Sequence, residues 1–178
     1  MRIGVISRTG DLGSYVVEIL RTWGLATVDL LSPGEAEALS PETHPVLIWA
    51  APGPPGGSVL DFARSGGTAV FFEPGRELAR AVGLEIQGRE TAPLRLRVTG
   101  LASGGLTGEL LPVVGGAALC KAEAAGDVLA WLCRPDRYGA DSAGLIERNI
   151  RAGRVLAFAF DLPRCVLMLR QGDPALAE

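Results

Sequence analysis

The chain has 178 residues, of which 48% are hydrophobic and 21% charged, and its formal net charge is −3. Its 24 glycines and 12 prolines are more turn-forming residues than a helical bundle uses. One histidine is too few for a histidine-based zinc site, and a mildly acidic chain without basic clusters is not expected to bind nucleic acid.

The first half of the chain alternates between short apolar runs and segments with helical spacing. Strands are predicted at residues 2–7, 26–31, 46–51 and 68–72. Helices are predicted at residues 12–23, 35–39, 58–65 and 76–82. Asp11 is the predicted N-cap of the first helix. This alternation is typical of a parallel α/β sheet.

The pattern changes after residue 90. Residues 94–98 (LRLRV) alternate between apolar and charged side chains, which predicts a half-exposed antiparallel strand at an edge of the sheet. Residues 118–123 and 127–133 predict two strands of a hairpin around residues 124–126.

The last third of the chain predicts one more helix and one more strand. Residues 141–151 place Ile146 and Ile150 at helical spacing and Glu147 four residues before Arg151, which favours a helix. Residues 155–160 (VLAFAF) predict a final buried strand. We therefore predict one α/β domain over residues 1–178. It would have three layers and a flavodoxin-like, mostly parallel sheet of five or six strands flanked by helices, with a peripheral antiparallel hairpin.

The apolar segments, the amino terminus and the cysteines indicate in which cellular compartment the protein is expected. No stretch has the roughly 20 apolar residues of a membrane span, and the amino terminus lacks the apolar run of a signal peptide. We therefore expect a cytoplasmic protein without a membrane partner. Three widely spaced cysteines indicate reduced, buried thiols. The apolar residues 166–169 and the connector-like residues 171–175 lead us to expect the amino-terminal part of a longer protein.

Five segments match, in order, a known pattern: residues 2–7, 46–53, 64–72, 106–113 and 153–161. Together they resemble the class I glutamine amidotransferase-like superfamily. The resemblance is to its non-amidotransferase branch, which includes trehalose-utilisation-like and glycoside-hydrolase-associated domains. The last segment (GRVLAFAFD) resembles the closing G-x-G-R-V strand of that family, although Arg151 replaces its first glycine. The resemblance implies an amidotransferase-like α/β fold.

The same resemblance argues against amidotransferase chemistry. Active members present a nucleophilic cysteine in a G-x-C-x-G turn, assisted by a histidine and a glutamate nearer the carboxyl terminus. Here residues 71–75 read FFEPG, so Glu73 stands in that turn and no histidine follows it. His44 precedes a predicted strand and is expected at the opposite, amino edge of the sheet. The Cys-His-Glu triad is absent, and we expect no catalytic residue, metal or cofactor.

Residues that follow predicted strands would converge on one rim, where α/β proteins bind ligands. The candidate rim consists of Ser7, Arg8, Asp11, Gly53, Glu73, Arg76, Asp161 and Arg164. Glu73 and Asp161 would form a carboxylate pair, and the three arginines would hold an anion through paired hydrogen bonds. The alternative interpretation makes the same residues helix caps, first-turn residues and strand ends.

Three other chemistries have weaker support. The turn at residues 7–11 resembles a flavin phosphate loop, but residues 52–57 lack the aromatic side chains that would hold the ring. No G-x-S-x-G motif of a serine hydrolase occurs. Cys165 follows the last predicted strand, where a buried structural thiol is favoured over a reactive one.

We therefore expect a non-catalytic module for assembly or interaction within a larger protein, related to carbohydrate metabolism by family analogy. Its partners would be further domains of the same chain or further copies of it. The expected contact surfaces are residues 166–169 and the exposed side of residues 94–98. The alternative is a small-molecule-binding protein or hydrolase that uses the rim of carboxylates and arginines.

Overall fold

The computed structural model describes residues 2–8, 10–51, 57–99, 109–135 and 142–172. The strands in these ranges are β1 Ile3–Ile6, β2 Val28–Leu31, β3 Val46–Trp49, β4 Thr68–Phe72, β5 Leu84–Glu90, β6 Leu94–Val98, β7 Leu110–Val113, β8 Ala117–Ala122, β9 Val128–Cys133, β10 Ser142–Ile150 and β11 Gly153–Phe158. The α-helices in them are α1 Gly13–Thr22, α2 Gly57–Arg64, α3 Arg76–Ala81 and α4 Leu162–Gln171. Short 3-10 helices lie at Glu35–Ala38 and Ala125–Asp127.

One mixed sheet of nine strands organises the fold. Its strand order is β2-β1-β3-β4-β11-β10-β9-β6-β7. Neighbours from β2 to β11 pair in parallel, and neighbours from β11 to β7 pair antiparallel. The direction of pairing therefore changes at β11, where Phe158 lies opposite Phe72 of β4 and Leu145 of β10. Strands β5 and β8 form a separate antiparallel pair.

Both faces of the parallel half are covered, because alternate side chains of a strand point to opposite faces. On one face Val5 of β1 packs with Val16 and Val17 of α1. On the other face Leu47 of β3 belongs to a larger core with Phe62 of α2. That larger core continues under the antiparallel half. A strand buried on both faces needs a continuous apolar run, and β3 (VLIW) has one.

The predicted three-layer, mostly parallel architecture is wrong. The sheet has nine strands instead of five or six, and as many neighbouring pairs are antiparallel as parallel. In the described residues from Leu84 to Phe158, the regular elements are strands and one 3-10 helix. The strand–helix alternation of the first half, on which the prediction rested, does not extend to the second half.

The predicted helix at residues 141–151 is instead strand β10, with Asp141 outside the described residues. Ile146 is buried in the core, and Glu147 forms an ion pair with Arg154 of β11 at 3.0 Å instead of with Arg151. Arg151 lies in the turn between β10 and β11, with φ 54°. The four-residue spacing of these side chains does not distinguish a helix from a strand, because residues four apart share one face in both.

The predicted peripheral hairpin is also wrong. Its two strands do not pair with each other, since β8 pairs with β5 and β9 pairs with β6 and β10. Strand β6 lies inside the sheet, between β9 and β7, and not at an edge. The apolar residues 166–169, expected to form a contact surface, belong to α4, and Leu169 there is 49% exposed. Within the described ranges no helix is long and apolar enough to cross a membrane.

Candidate functional site

A cleft of about 460 Å³ opens where the parallel strands β1, β3, β4 and β11 end. Its side walls carry three carboxylates and an apolar set: Asp11, Glu73 and Asp161 with Trp49, Phe72 and Pro163. Gly10, Leu12, Ala50, Ala51 and Gly75 complete the lining, and we call this site the carboxyl-edge cleft. Its volume lies within the range of small-molecule sites, roughly 300–1,000 Å³.

Asp11 closes the turn between β1 and α1. Its Oδ2 accepts a hydrogen bond from the Arg8 backbone N–H at 2.9 Å. The N-cap of α1 is Leu12, which makes no side-chain cap bond. The predicted cap role of Asp11 is therefore wrong by one residue, and the carboxylate stabilises the preceding turn while lining the cleft.

Asp161 caps α4. Its Oδ1 accepts from the Arg164 backbone N–H at 3.0 Å, and Pro163 stands in the first turn. An Asp followed by a Pro two residues later is a sequence signal for a helix start. That signal predicts the start of α4, a helix that the apolar composition of residues 166–169 does not indicate.

Glu73 occupies a strained turn directly after β4. Its backbone is left-handed, with φ 46°, a conformation that favours glycine. Its N–H donates to the Phe158 carbonyl at 2.9 Å, which joins the ends of β4 and β11. Its carboxylate forms an ion pair with Arg89 of β5. The sequence does not predict the role of Arg89. Its position depends on the pairing of β5 with β8, which no local sequence pattern indicates.

Trp49 lines the cleft and carries a buried polar atom. It ends β3, its side chain is 6% exposed, and it lines the cleft. Its indole Nε1 is buried without a hydrogen-bond partner in the described part of the chain. A buried N–H without an acceptor costs about 1–3 kcal/mol.

The predicted rim is assembled only in part. Asp11, Glu73 and Asp161 come together, whereas the predicted anion-holding arginines do not line the cleft. Ser7 and Arg8 line a neighbouring pocket of about 430 Å³ beside β2, and the Ser7 hydroxyl donates to the Arg8 carbonyl at 3.1 Å.

The remaining rim residues lie apart from the cleft. Arg76 donates to the Ile86 carbonyl at 3.5 Å, and the side chain of Arg164 is exposed on α4. Gly53 lies outside the described residues. The cleft therefore has an acidic and aromatic lining, and the predicted combination of carboxylates with arginines is not formed there.

The thiols and the histidine lie outside the cleft. All three cysteines are buried. Burial raises the pKa of the Cys165 thiol, and the negative charge of Asp161 raises it further. The hydrogen bond that its Sγ accepts from the Val114 N–H at 3.4 Å lowers the pKa, but by less than burial raises it. The protonated thiol is therefore favoured over a reactive thiolate.

His44 lies at the amino edge of the sheet, as its place before β3 predicts. Its Nε2 is 2.9 Å from Oδ2 of Asp29, which also binds Arg2 at 2.8 Å. Its Nδ1 lies 3.1 Å from the Thr43 hydroxyl. Among the described residues, no group of three or more His, Cys, Asp or Glu is placed to hold a metal ion.

No protein-family model matches the chain, and no curated protein sequence matches it. Solved structures do resemble it. The chain superimposes with a TM-score of 0.67 on the exo-β-1,4-mannosidase Op5Man5 from Opitutaceae bacterium strain TAV5, at 12% identity, covering 94% of this chain and 32% of that one. With a β-galactosidase from Bacillus circulans sp. alkalophilus the TM-score is 0.64 at 18% identity, covering 99% and 32%.

A third similar structure is much smaller. The cytoplasmic protein STM1381 from Salmonella typhimurium LT2 gives a TM-score of 0.65 at 15% identity, covering 90% of this chain and 88% of that one. The chain thus spans about a third of the length of the two glycosidases but most of the length of STM1381. At these identities the likeness shows a shared fold alone.

The expected resemblance to the class I glutamine amidotransferase-like superfamily is wrong on these findings. The similar structures described above are named as glycosidases and as a cytoplasmic protein, and none of them is named as an amidotransferase. The amidotransferase-like and three-layer α/β assignments are therefore both corrected.

Proposed function

We propose that the chain is a non-catalytic accessory domain in a carbohydrate-processing protein or complex, where it serves assembly or interaction. The observation that carries this proposal is the coverage of the structural likeness. Nearly the whole chain matches about a third of a mannosidase and of a β-galactosidase. The likeness supports a role as one part of a larger machine. A cytoplasmic location belongs to the same proposal.

The lining of the cleft supports binding over bond cleavage. Hydrolysis of a glycoside needs one carboxylic acid to protonate the leaving oxygen and a second carboxylate to act on the other side of the sugar. Here Asp11 and Asp161 accept backbone N–H groups, and Glu73 is paired with Arg89. Among the described residues that line the cleft there is no Cys, His, Ser or Lys.

An activity assay tests the proposal directly. We expect the purified chain to release no nitrophenol from nitrophenyl β-galactoside or β-mannoside above the buffer rate. Asp161→Ser and Glu73→Gln serve as cleft variants, and Asp61→Asn, on an exposed carboxylate of α2, as the matched control. Hydrolysis that the cleft variants abolish and the control retains would overturn the non-catalytic role.

A further inference from the structure

We propose that an apolar groove between α1 and α4 binds the hydrocarbon chain of a small aliphatic amine, whose ammonium group lies at the carboxyl-edge cleft. Two features of the molecule support this ligand: the apolar lining of the groove and the negative charge where the groove meets the cleft. Such binding is independent of the proposed role with carbohydrates.

The sheet has a strip of apolar surface that is only partly covered. Along β4, Ala69 and Phe71 are at most 1% exposed on one face, whereas Val70 and Phe72 on the other face are half-buried. Phe158 of β11 is half-buried too, and its ring centroid lies 5.6 Å from that of Phe72. Apolar surface left open on a folded chain marks a site of contact with a ligand or partner.

This strip is the floor of a groove of about 220 Å³, which we call the α1–α4 groove. Leu20 of α1 and Val166 of α4 line it on either side. All the described residues that line it are apolar. A hydrocarbon chain gains free energy for each methylene that it buries there, whereas a polar group would lose its hydrogen bonds to water. The α1–α4 groove therefore fits an aliphatic chain.

The α1–α4 groove meets the carboxyl-edge cleft. Phe72 and Pro163 line both of them, and Asp161 of the cleft directly precedes Leu162 of the groove. A ligand can therefore place its chain in the groove and its head group among the side chains of the cleft.

Charge complementarity determines the head group. The cleft lining holds three carboxylates, and the lining residues that the structure describes include no basic side chain. Glu73 is paired with Arg89, whereas Asp11 and Asp161 each accept one backbone N–H and have acceptor capacity left. An ammonium group, which donates three hydrogen bonds, is attracted there, and a carboxylate or phosphate is repelled.

The length of the ligand chain tests the groove. We titrate the protein with n-butylamine, n-hexylamine and n-octylamine in a calorimeter at neutral pH, at concentrations where the amines do not form micelles. We expect about tenfold tighter binding for each two methylenes added, because the groove buries them. An affinity that is the same for all three amines would overturn the inference, since it would mean ion pairing at surface carboxylates alone.

Ligands with the same chain test the head group. We expect n-octylamine to bind about tenfold more tightly than n-octanol, because its hydrogen bonds to the carboxylates are charge-assisted, and n-octanoate to bind most weakly. Added salt should weaken the binding of n-octylamine and leave that of n-octanol unchanged. Binding of n-octanol or n-octanoate as tight as that of n-octylamine contradicts the charge selection.

Matched variants locate the chain and the head group separately. Val166→Phe fills the groove, so it should weaken n-octylamine and n-octanol alike by at least tenfold. Leu169→Phe, at an exposed position of the same helix, should change neither affinity. Asp161→Ser keeps a side-chain cap for α4 but removes the carboxylate, so it should weaken n-octylamine about tenfold and leave n-octanol unchanged. Asp61→Asn on α2 is its control, with both affinities unchanged, and thermal unfolding shows that each variant is folded.

Other occupants of the groove give different results. Light scattering that shows a lower mass for Val166→Phe than for the wild-type protein would assign the groove to a second copy of the chain. Tighter binding of leucyl-leucinamide than of n-octylamine would assign it to the amino terminus of a peptide. Either result overturns the inference, as does an unchanged affinity of Val166→Phe for n-octylamine. Glycoside hydrolysis would overturn the proposed function and not the binding of amines, so the two failures are distinguishable.

Discussion

Glu73 combines a strained backbone conformation and an ion pair with a position in the lining of the cleft. Its left-handed backbone is held by the bond from its N–H to Phe158 and by its ion pair with Arg89. The conformation costs a residue with a Cβ about 1–2 kcal/mol, and such strain is concentrated at functional sites. The sequence located Glu73 because it follows a buried strand, but nothing local announced its partner Arg89.

The cost of this conformation is measurable with two substitutions that remove the same charge. Glu73→Gly and Glu73→Ala both lose the ion pair, but only glycine adopts φ 46° without a Cβ penalty. We expect Glu73→Gly to be more stable than Glu73→Ala by about 1 kcal/mol in urea unfolding. Equal stability of the two variants, or greater stability of the alanine variant, would contradict the strain.

Cys120 links burial to pH dependence. Burial raises the pKa of its thiol from the ordinary 9.0 to about 11. The unfolded chain therefore loses this proton at a lower pH than the folded protein does. The associated stability is fully present below pH 9 and is lost as pH rises toward 11.

We expect the free energy of unfolding to fall by roughly 2 kcal/mol across that window on account of Cys120. Urea titrations at several alkaline pH values measure this fall. Cys120→Ala should show a shallower decline, the remainder including Cys165, whose pKa burial also raises. Parallel curves for the two proteins would contradict the assignment.

At the scale of elements, local patterns identified some strands and misidentified others. Strands β4 and β6 lie at their predicted residues, because a continuous apolar run and a strict alternation are unambiguous. Strand β10 was mistaken for a helix, since its turn at Arg151 contains no Asn-Gly or Asp-Gly pair. Strand β5 was missed, and its register shifts between Ile86 and Gly88.

Gly153, the first residue of β11, lies close to the backbone of α2 and of the segment that precedes β4. A Cβ there would lie 2.2 Å from the Ala63 carbonyl oxygen and 2.3 Å from that of Gly67. These are backbone atoms that a rotamer change cannot move. Gly34 is a suitable comparison, because its φ is −69° and no atom lies within 4 Å of the Cβ position.

We therefore expect Gly153→Ala to destabilise the protein by about 2 kcal/mol or more, since β11 must shift from α2 and β4. Gly34→Ala should be neutral or stabilising by up to about 1 kcal/mol. Urea unfolding compares the two variants. A Gly153→Ala protein as stable as the wild type would show that the contact relaxes easily.

At the scale of the whole molecule, the pairing of distant strands decided the architecture. Strand β6 pairs with β9 and β5 pairs with β8, across long stretches of chain. Hydrophobic periodicity reports which face of an element is buried but not which strand lies beside it. The carboxylates of the cleft could be predicted from the sequence, because they follow strands. The absence of the predicted arginines from its lining could not, because it depends on tertiary packing.

The proposed role in assembly predicts self-association of the 18.6 kDa chain. Leu169 on α4 is a large apolar residue with 49% exposure in the segment expected to form contacts. Light scattering should give a multiple of the chain mass, and Leu169→Glu should reduce it to one chain. Trp23→Glu, at an exposed apolar residue outside both expected contact surfaces, is the control that should leave the mass unchanged. A monomeric wild-type protein would remove the support for self-association.

The position of β11 has a consequence for synthesis on the ribosome. Residues 153–158 cover the edge of β4, at residues 68–72, and complete the parallel half of the sheet. Until they emerge, a nascent chain carries β4 with one row of backbone N–H and C=O groups unpaired beside an apolar surface. An uncovered edge of this kind favours aggregation. We therefore expect chains that terminate before residue 153 to accumulate as insoluble fragments when they are expressed.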